Sequence, residues 1–196
     1  MKSLLTINPQ HIKALLDPAL GAVSIPVTSE HLPEMMRQGL ASTVLLKKPE
    51  SEKLVSNYRF RCIDPATDSM WRTFANEVAT ILNSELAPYL ELPEKIEFDD
   101  LYLTYYLKSE MGVGPHRDIN CKNLVVVLVL WGNPAFYVCK DKEMSESVSI
   151  PSKVGELMIM RAPNFLDLQG PCHYVGAMHE GMLQFGMRQY IPKPTH

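Results

Sequence analysis

From residue 96 onward the 196-residue chain is a succession of short extended segments separated by turns, with little room for helix between them. The segments span residues 97–107, 122–131, 135–140, 147–150, 155–161, 173–177 and 183–191. Val125, Val126 and Val127 make the second of them strongly β-branched, which suits a pleated surface. Gly132-Asn133-Pro134 and Pro151-Ser152-Lys153 carry the residues that turns demand. Many short strands in this arrangement predict a sandwich or a double-sheet jelly roll (a double-stranded β-helix).

The preceding half mixes helical and extended signals. Asn8 as cap and Pro9 at the first helical position open a short helix through Leu16. Thr28 or Ser29 is placed to cap a second helix across Leu32, Met35 and Met36, and residues 22–27, 42–46 and 57–62 read as strands. Asp64-Pro65 starts the longest helix, in which Trp71, Phe74, Val78, Ile81, Leu82 and Leu86 fall at spacings of three and four. Such an apolar stripe covers the back of a sheet. The expected class is mainly β with α (α+β). A jelly-roll, cupin-like core over 96–192 carries an N-terminal helical and strand layer (1–95) outside it, as support or lid, in one domain spanning 1–196.

Bulk properties exclude several classes of function. The longest apolar run, residues 124–131, is far too short to cross a bilayer, so no membrane partner is expected. The opening MKSLLTINPQHIK turns polar at once and lacks a signal-peptide apolar region, which makes a cytoplasmic protein the expectation. Cys62, Cys121, Cys139 and Cys172 form no C-x-x-C pair, which argues against a structural zinc site and a secreted disulfide framework. The net charge of −3 gives no general attraction to polyanions, although residues 1–62 carry +3 and the remainder −6. The most basic stretch, Lys47, Lys48, Lys53, Arg59 and Arg61, reads as a solvated face.

The segment that carries chemistry is Gly112-Val113-Gly114-Pro115-His116-Arg117-Asp118. On an extended backbone residues i and i+2 share a face, so His116 and Asp118 can aim an imidazole and a carboxylate at one point, with Arg117 turned outward. Iron(II) in oxygenases is held by two histidines and one carboxylate on one face of an octahedron, which leaves positions open. The second histidine must come from elsewhere, and His173, 57 residues on, and His179 are the candidates. Cys121 and Cys172, which flank these positions, read as small neutral fillers. Met158, Met160, Met178, Met182 and Met187 read as core, with a soft pocket lining as the alternative.

The order of elements around His-x-Asp resembles the catalytic core of the Fe(II)/2-oxoglutarate-dependent dioxygenases, particularly the short AlkB-like forms. Tyr105-Tyr106 lead through Gly114 to His116 and Asp118, followed by the strand and turn LVVVLVLWGNPAFYV. Gly155-Glu156-Leu157, then His173-Tyr174-Val175, then a last strand bearing Arg188 complete the pattern. The resemblance runs from Tyr102 to Tyr190, slightly under half of the chain. It implies Fe(II) on His116, Asp118 and His173, 2-oxoglutarate held by Arg188 and Tyr106, and dioxygen as oxidant. Hydroxylation or oxidative demethylation would release succinate and CO2, and Asp118, where related halogenases lack a carboxylate, favours this over halogenation. The implied substrate is a nucleobase, free or in nucleic acid. The alternatives are a small metabolite or peptide side chain, or a cupin-like binding module without catalysis. Two departures stand out: Met182 occupies the place of a second arginine, and His179 lies 9 residues before Arg188, a spacing the family also uses, while His173 lies 15 before it.

Overall fold

A computed structural model of the chain describes residues 4–45, 58–63, 69–92, 94–108, 112–119, 121–163 and 165–191. In chain order the elements are α1 (Pro9–Leu16), β1 (Ala22–Pro26), α2 (Leu32–Ser42), a 3-10 turn (Thr43–Leu45), β2 (Tyr58–Cys62) and α3 (Ser69–Leu86). Then come β3 (Asp100–Tyr106), β4 (Val113–His116), β5 (Cys121–Gly132), β6 (Phe136–Cys139), β7 (Val148–Ile150), β8 (Glu156–Arg161), β9 (Cys172–Val175) and β10 (Met182–Tyr190). They form a six-stranded sheet in the order β1-β8-β5-β10-β3-β2 and a four-stranded sheet in the order β4-β9-β6-β7. All pairings are antiparallel, as the jelly roll expected from sequence requires. No helix among the described residues is long and apolar enough to cross a membrane.

β5 shows why its sequence lacks alternation. Leu124, Val126, Leu128 and Leu130 face the helical layer, where they join Trp71, Phe74, Val78 and Leu82 of α3. Val125, Val127 and Val129 face the second sheet, with Phe136, Val138, Met158, Met160 and Met182. A central strand covered on both faces must be apolar at every position. α3 lays Trp71 and Phe74 against Phe185 of β10, with ring centroids 4.9 and 6.3 Å apart. Each such fully buried side chain contributes about 1.5–3 kcal/mol of transfer free energy. Asn83 ties α3 to the strand region by bonding both the N–H and the C=O of Ile96.

The helical signals hold for α1, where Asn8 accepts from the N–H of His11 and His11 bonds back to the N–H of Asn8. Two expectations need correction. α2 is capped by neither Thr28 nor Ser29; its cap residue is His31, without a side-chain bond, and Ser29 accepts from the His31 N–H. Residues 42–45 form the end of α2 and the 3-10 turn, not a strand. The hydroxyls of Ser42 and Thr43 donate to the carbonyls of Gln38 and Leu40, which holds the backbone helical despite the β-branched pair Thr43-Val44. The Asp64-Pro65 start of α3 lies outside the described residues.

Candidate active site

His116 closes β4 and pairs in register with His173 on β9, so two histidines 57 residues apart in sequence become direct neighbours across the ladder. Their ring centroids lie 4.3 Å apart. Asp118, two residues on, brings Oδ2 to 3.7 Å from His173 Nε2. One ligand atom from each of the three residues lies within 4.8 Å of the others. His179 stands exposed in the turn after β9, outside this cluster.

The hydrogen bonds around the histidines set their tautomers. His116 Nδ1 faces the Gly114 carbonyl at 2.8 Å, and His173 Nδ1 faces that of Pro171 at 3.2 Å. A carbonyl only accepts, so each Nδ1 carries the proton and each Nε2 presents a lone pair. Burial pushes the His173 imidazole below its ordinary value; Asp118 opposes the shift, and the ring stays neutral. His173 Nε2 and the Asp118 carboxylate therefore face each other as two acceptors with no proton to share. A cation resolves that arrangement, and backbone carbonyls that anchor the ligating histidines are the usual surroundings of a metal site. Cys121, fully buried, has its thiol pushed up to about 12 by burial and by Asp118, which suits a neutral filler.

Arg188 lies on the interior face of β10. Met182 points into the space between the sheets, and Gln184, Gly186 and Arg188 follow it at intervals of two. A register shift between Arg188 and Gln189 relative to β5, opposite the left-handed Asn123 (φ 58°), interrupts the ladder before it resumes with Gln189 opposite Lys122. Asn123 accepts that backbone conformation and bonds Gln189 at 2.6 Å. Arg188 donates from Nε to Asp100 Oδ2 at 2.5 Å, and its guanidinium lies over the Tyr102 ring, 4.9 Å from the centroid. Burial opposes its charge, but Tyr102, Asp100 and Asp118 more than offset this and hold the group above its ordinary value. Tyr102 fits because Gly186 faces it: a Cβ on Gly186 would stand 2.2 Å from Tyr102 Cζ. The two Nη groups remain to meet an anion.

Tyr106 is on the same interior face but at the other end of β3, opposite Met182, with Gln184 Nε2 3.4 Å from its hydroxyl. The two residues expected to hold an oxo acid thus stand at opposite ends of one strand pair. The tyrosine beside Arg188 is Tyr102, and neither it nor Asp100 is among the site residues that the sequence motifs imply. The available signal was periodicity, since Tyr102 is four residues before Tyr106 and shares its face. Met158, Met160, Met178 and Met182 line the interior, whereas Met187 faces the helices. A cleft of about 650 Å³ opens beside His116, bounded by Arg117, Lys140, Lys142, Glu143 and Cys172.

No family model and no curated protein matches the sequence. Solved structures do match. OsALKBH1 superposes with a TM-score of 0.64 at 13% identity, over 89% of this chain and 99% of the other. A Pseudomonas putida prolyl-4-hydroxylase gives 0.64 at 12% identity, covering 92% and 97%. The viral collagen prolyl hydroxylase of Paramecium bursaria Chlorella virus-1, in complex with 2OG, gives 0.61 at 10% identity, covering 85% and 94%. The chain therefore has the jelly-roll fold of the iron(II)/2-oxoglutarate oxygenases that its motifs resemble.

Proposed function

We propose that the protein is an iron(II)- and 2-oxoglutarate-dependent dioxygenase that hydroxylates, or oxidatively demethylates, a nucleobase, free or within nucleic acid. The observation that carries the reading is the convergence of His116, Asp118 and His173 with both ring protons turned away from the centre. Two imidazoles and one carboxylate form the donor set of non-haem iron(II) oxygenases. Iron(II) bound there, with 2-oxoglutarate and dioxygen, supplies oxidative decarboxylation to succinate and CO2 coupled to hydroxylation of a C–H bond.

The chain's own residues bind and orient. Arg188, held by Asp100 and supported by the Tyr102 face, offers a planar pair of donors to one carboxylate of the oxo acid. Gln184 donates to the Tyr106 hydroxyl at the other end of the same interior face. Val125, Val127, Met158, Met160 and Met182 exclude water from the interior, which strengthens each electrostatic contact inside it.

The nucleobase rests on the AlkB-like order of motifs and on the likeness to OsALKBH1. A peptide side chain is the second reading, favoured by comparable likeness to two prolyl hydroxylases and by a net charge that does not attract polyanions. The test incubates Fe(II)-loaded protein and 2-oxoglutarate with single-stranded oligonucleotides bearing methylated bases and, separately, with proline-rich peptides, and measures succinate. Oligonucleotides are expected to stimulate its release. Stimulation by peptides alone transfers the substrate to the second reading, and no succinate under any condition leaves a binding module.

A further inference from the structure

We propose that Arg117 is the positioning residue of the metal centre, clamping the strand end that carries His116 and Asp118 onto the turn that delivers His173. The inference rests on the metal-centre reading above. Arg117 lies between two of the three ligands, and strand alternation turns its side chain away from them. It is half-buried rather than solvated. Nη1 donates to the Gly170 carbonyl at 2.7 Å, and Nη2 to that of Lys140 at 3.3 Å. Gly170 belongs to a tightly packed segment, where a Cβ would meet the Arg161 carbonyl oxygen at 3.1 Å. The next residue, Pro171, offers the carbonyl that orients His173. One guanidinium thus joins the segments of all three ligands and the end of β6.

The backbone leaves this task open. Among the described residues β4 and β9 share two registered pairs, Val113 with Val175 and His116 with His173, and the register shifts between them. Pro115, inside that interval, has no N–H to contribute. Asp118 lies beyond the last residue of β4. The ladder alone therefore does not set the spacing of the three ligands. An arginine fork bonds two carbonyls at once from one rigid plane, which a lysine ammonium on a flexible stem does not.

The test compares the full-length protein with Arg117→Met, Arg117→Lys and His116→Ala. It measures Co(II) and Mn(II) affinity, the visible spectrum of the Co(II) form, and the melting temperature without metal. Arg117→Met is expected to weaken metal binding by about tenfold, the low end of what removing a direct hydrogen-bond partner of a ligand costs, and to change the Co(II) spectrum while the metal-free melting temperature stays close to wild type. Arg117→Lys is expected to recover part of the affinity. Unchanged affinity in Arg117→Met overturns the proposal, including the case where only the metal-free melt falls, since a merely structural residue behaves so. If Arg117→Met does not fold, Arg117→Lys must itself bind metal more weakly than wild type, and wild-type affinity there overturns the proposal. If the wild type binds Co(II) no better than His116→Ala, the metal-centre reading fails instead.

Discussion

His173 and His179 differ by six positions in sequence and by everything that matters to a ligand in space. His173 is 5% exposed, neutral by burial, and oriented by Pro171; His179 faces solvent. His173→Ala is expected to abolish Mn(II) binding in a titration, while His179→Ala leaves it intact; the reverse result moves the ligand role to His179. Arg188 invites a parallel comparison. Arg188→Lys keeps the charge but loses the fork and the Nε bond to Asp100. The apparent affinity for 2-oxoglutarate should fall roughly tenfold or more, in line with about 1.5–3 kcal/mol for a hydrogen bond to a charged group. Unchanged dependence of succinate formation on 2-oxoglutarate concentration would remove Arg188 from that role.

Among the elements, β4 is the one whose placement matters most and whose ladder is poorest. The residue that leads into it, Gly112, lies close to the end of β9, where a Cβ would stand 2.0 Å from the Val175 carbonyl oxygen and 2.1 Å from that of Gly176. Backbone atoms do not rotate aside as a side chain does, so Gly112→Ala must push the two strands apart. Overpacking of this kind costs about 1–3 kcal/mol, which for a domain of this length lowers the melting temperature by roughly 2–4 °C per kcal/mol. Because the displaced strand carries His116, Mn(II) affinity should fall as well. A variant that melts and binds as wild type does would show that β4 tolerates the shift. β4 is absent from the strands that the sequence predicts, because its four residues are too few and too rich in Gly and Pro to show a strand pattern. By contrast, the α3 stripe and the β5 run are legible in the sequence, because burial on one face leaves a helical period and burial on both faces of a strand leaves an unbroken apolar run.

The candidate metal centre belongs to the smaller sheet, while the larger one contributes Arg188. His116 and Asp118 come from β4 and the residues after it, His173 from β9, and Arg188 from β10 of the facing sheet. An ion bound by the first three clamps segments that otherwise meet by packing and a two-pair ladder. A ligand that binds only the folded state stabilises it by about 2.7 kcal/mol at a hundredfold excess over Kd. Mn(II), a redox-stable substitute for Fe(II), should therefore raise the melting temperature by several degrees. Adding 2-oxoglutarate should raise it further only with metal present, and Arg188→Ala should remove most of that second increment. Equal stabilisation by 2-oxoglutarate with and without metal would favour a binding module over an oxygenase.

Periodicity and local chemistry are readable along the chain: the capped α1, the α3 stripe, the β-branched run of β5, and His-x-Asp as a pair of donors on one side of an extended backbone. Each depends on neighbours within a few residues. The partners of those residues were not readable in that way. Alternation predicts that Arg117 turns away from the centre, but the carbonyls it finds there lie 53 and 23 residues away in sequence. Likewise Tyr102 and Asp100 are an ordinary strand pair until β10 brings Gly186 and Arg188 opposite them. Contacts closed across a sheet depend on register, and register is set by the packing of all the strands together, which no local pattern encodes.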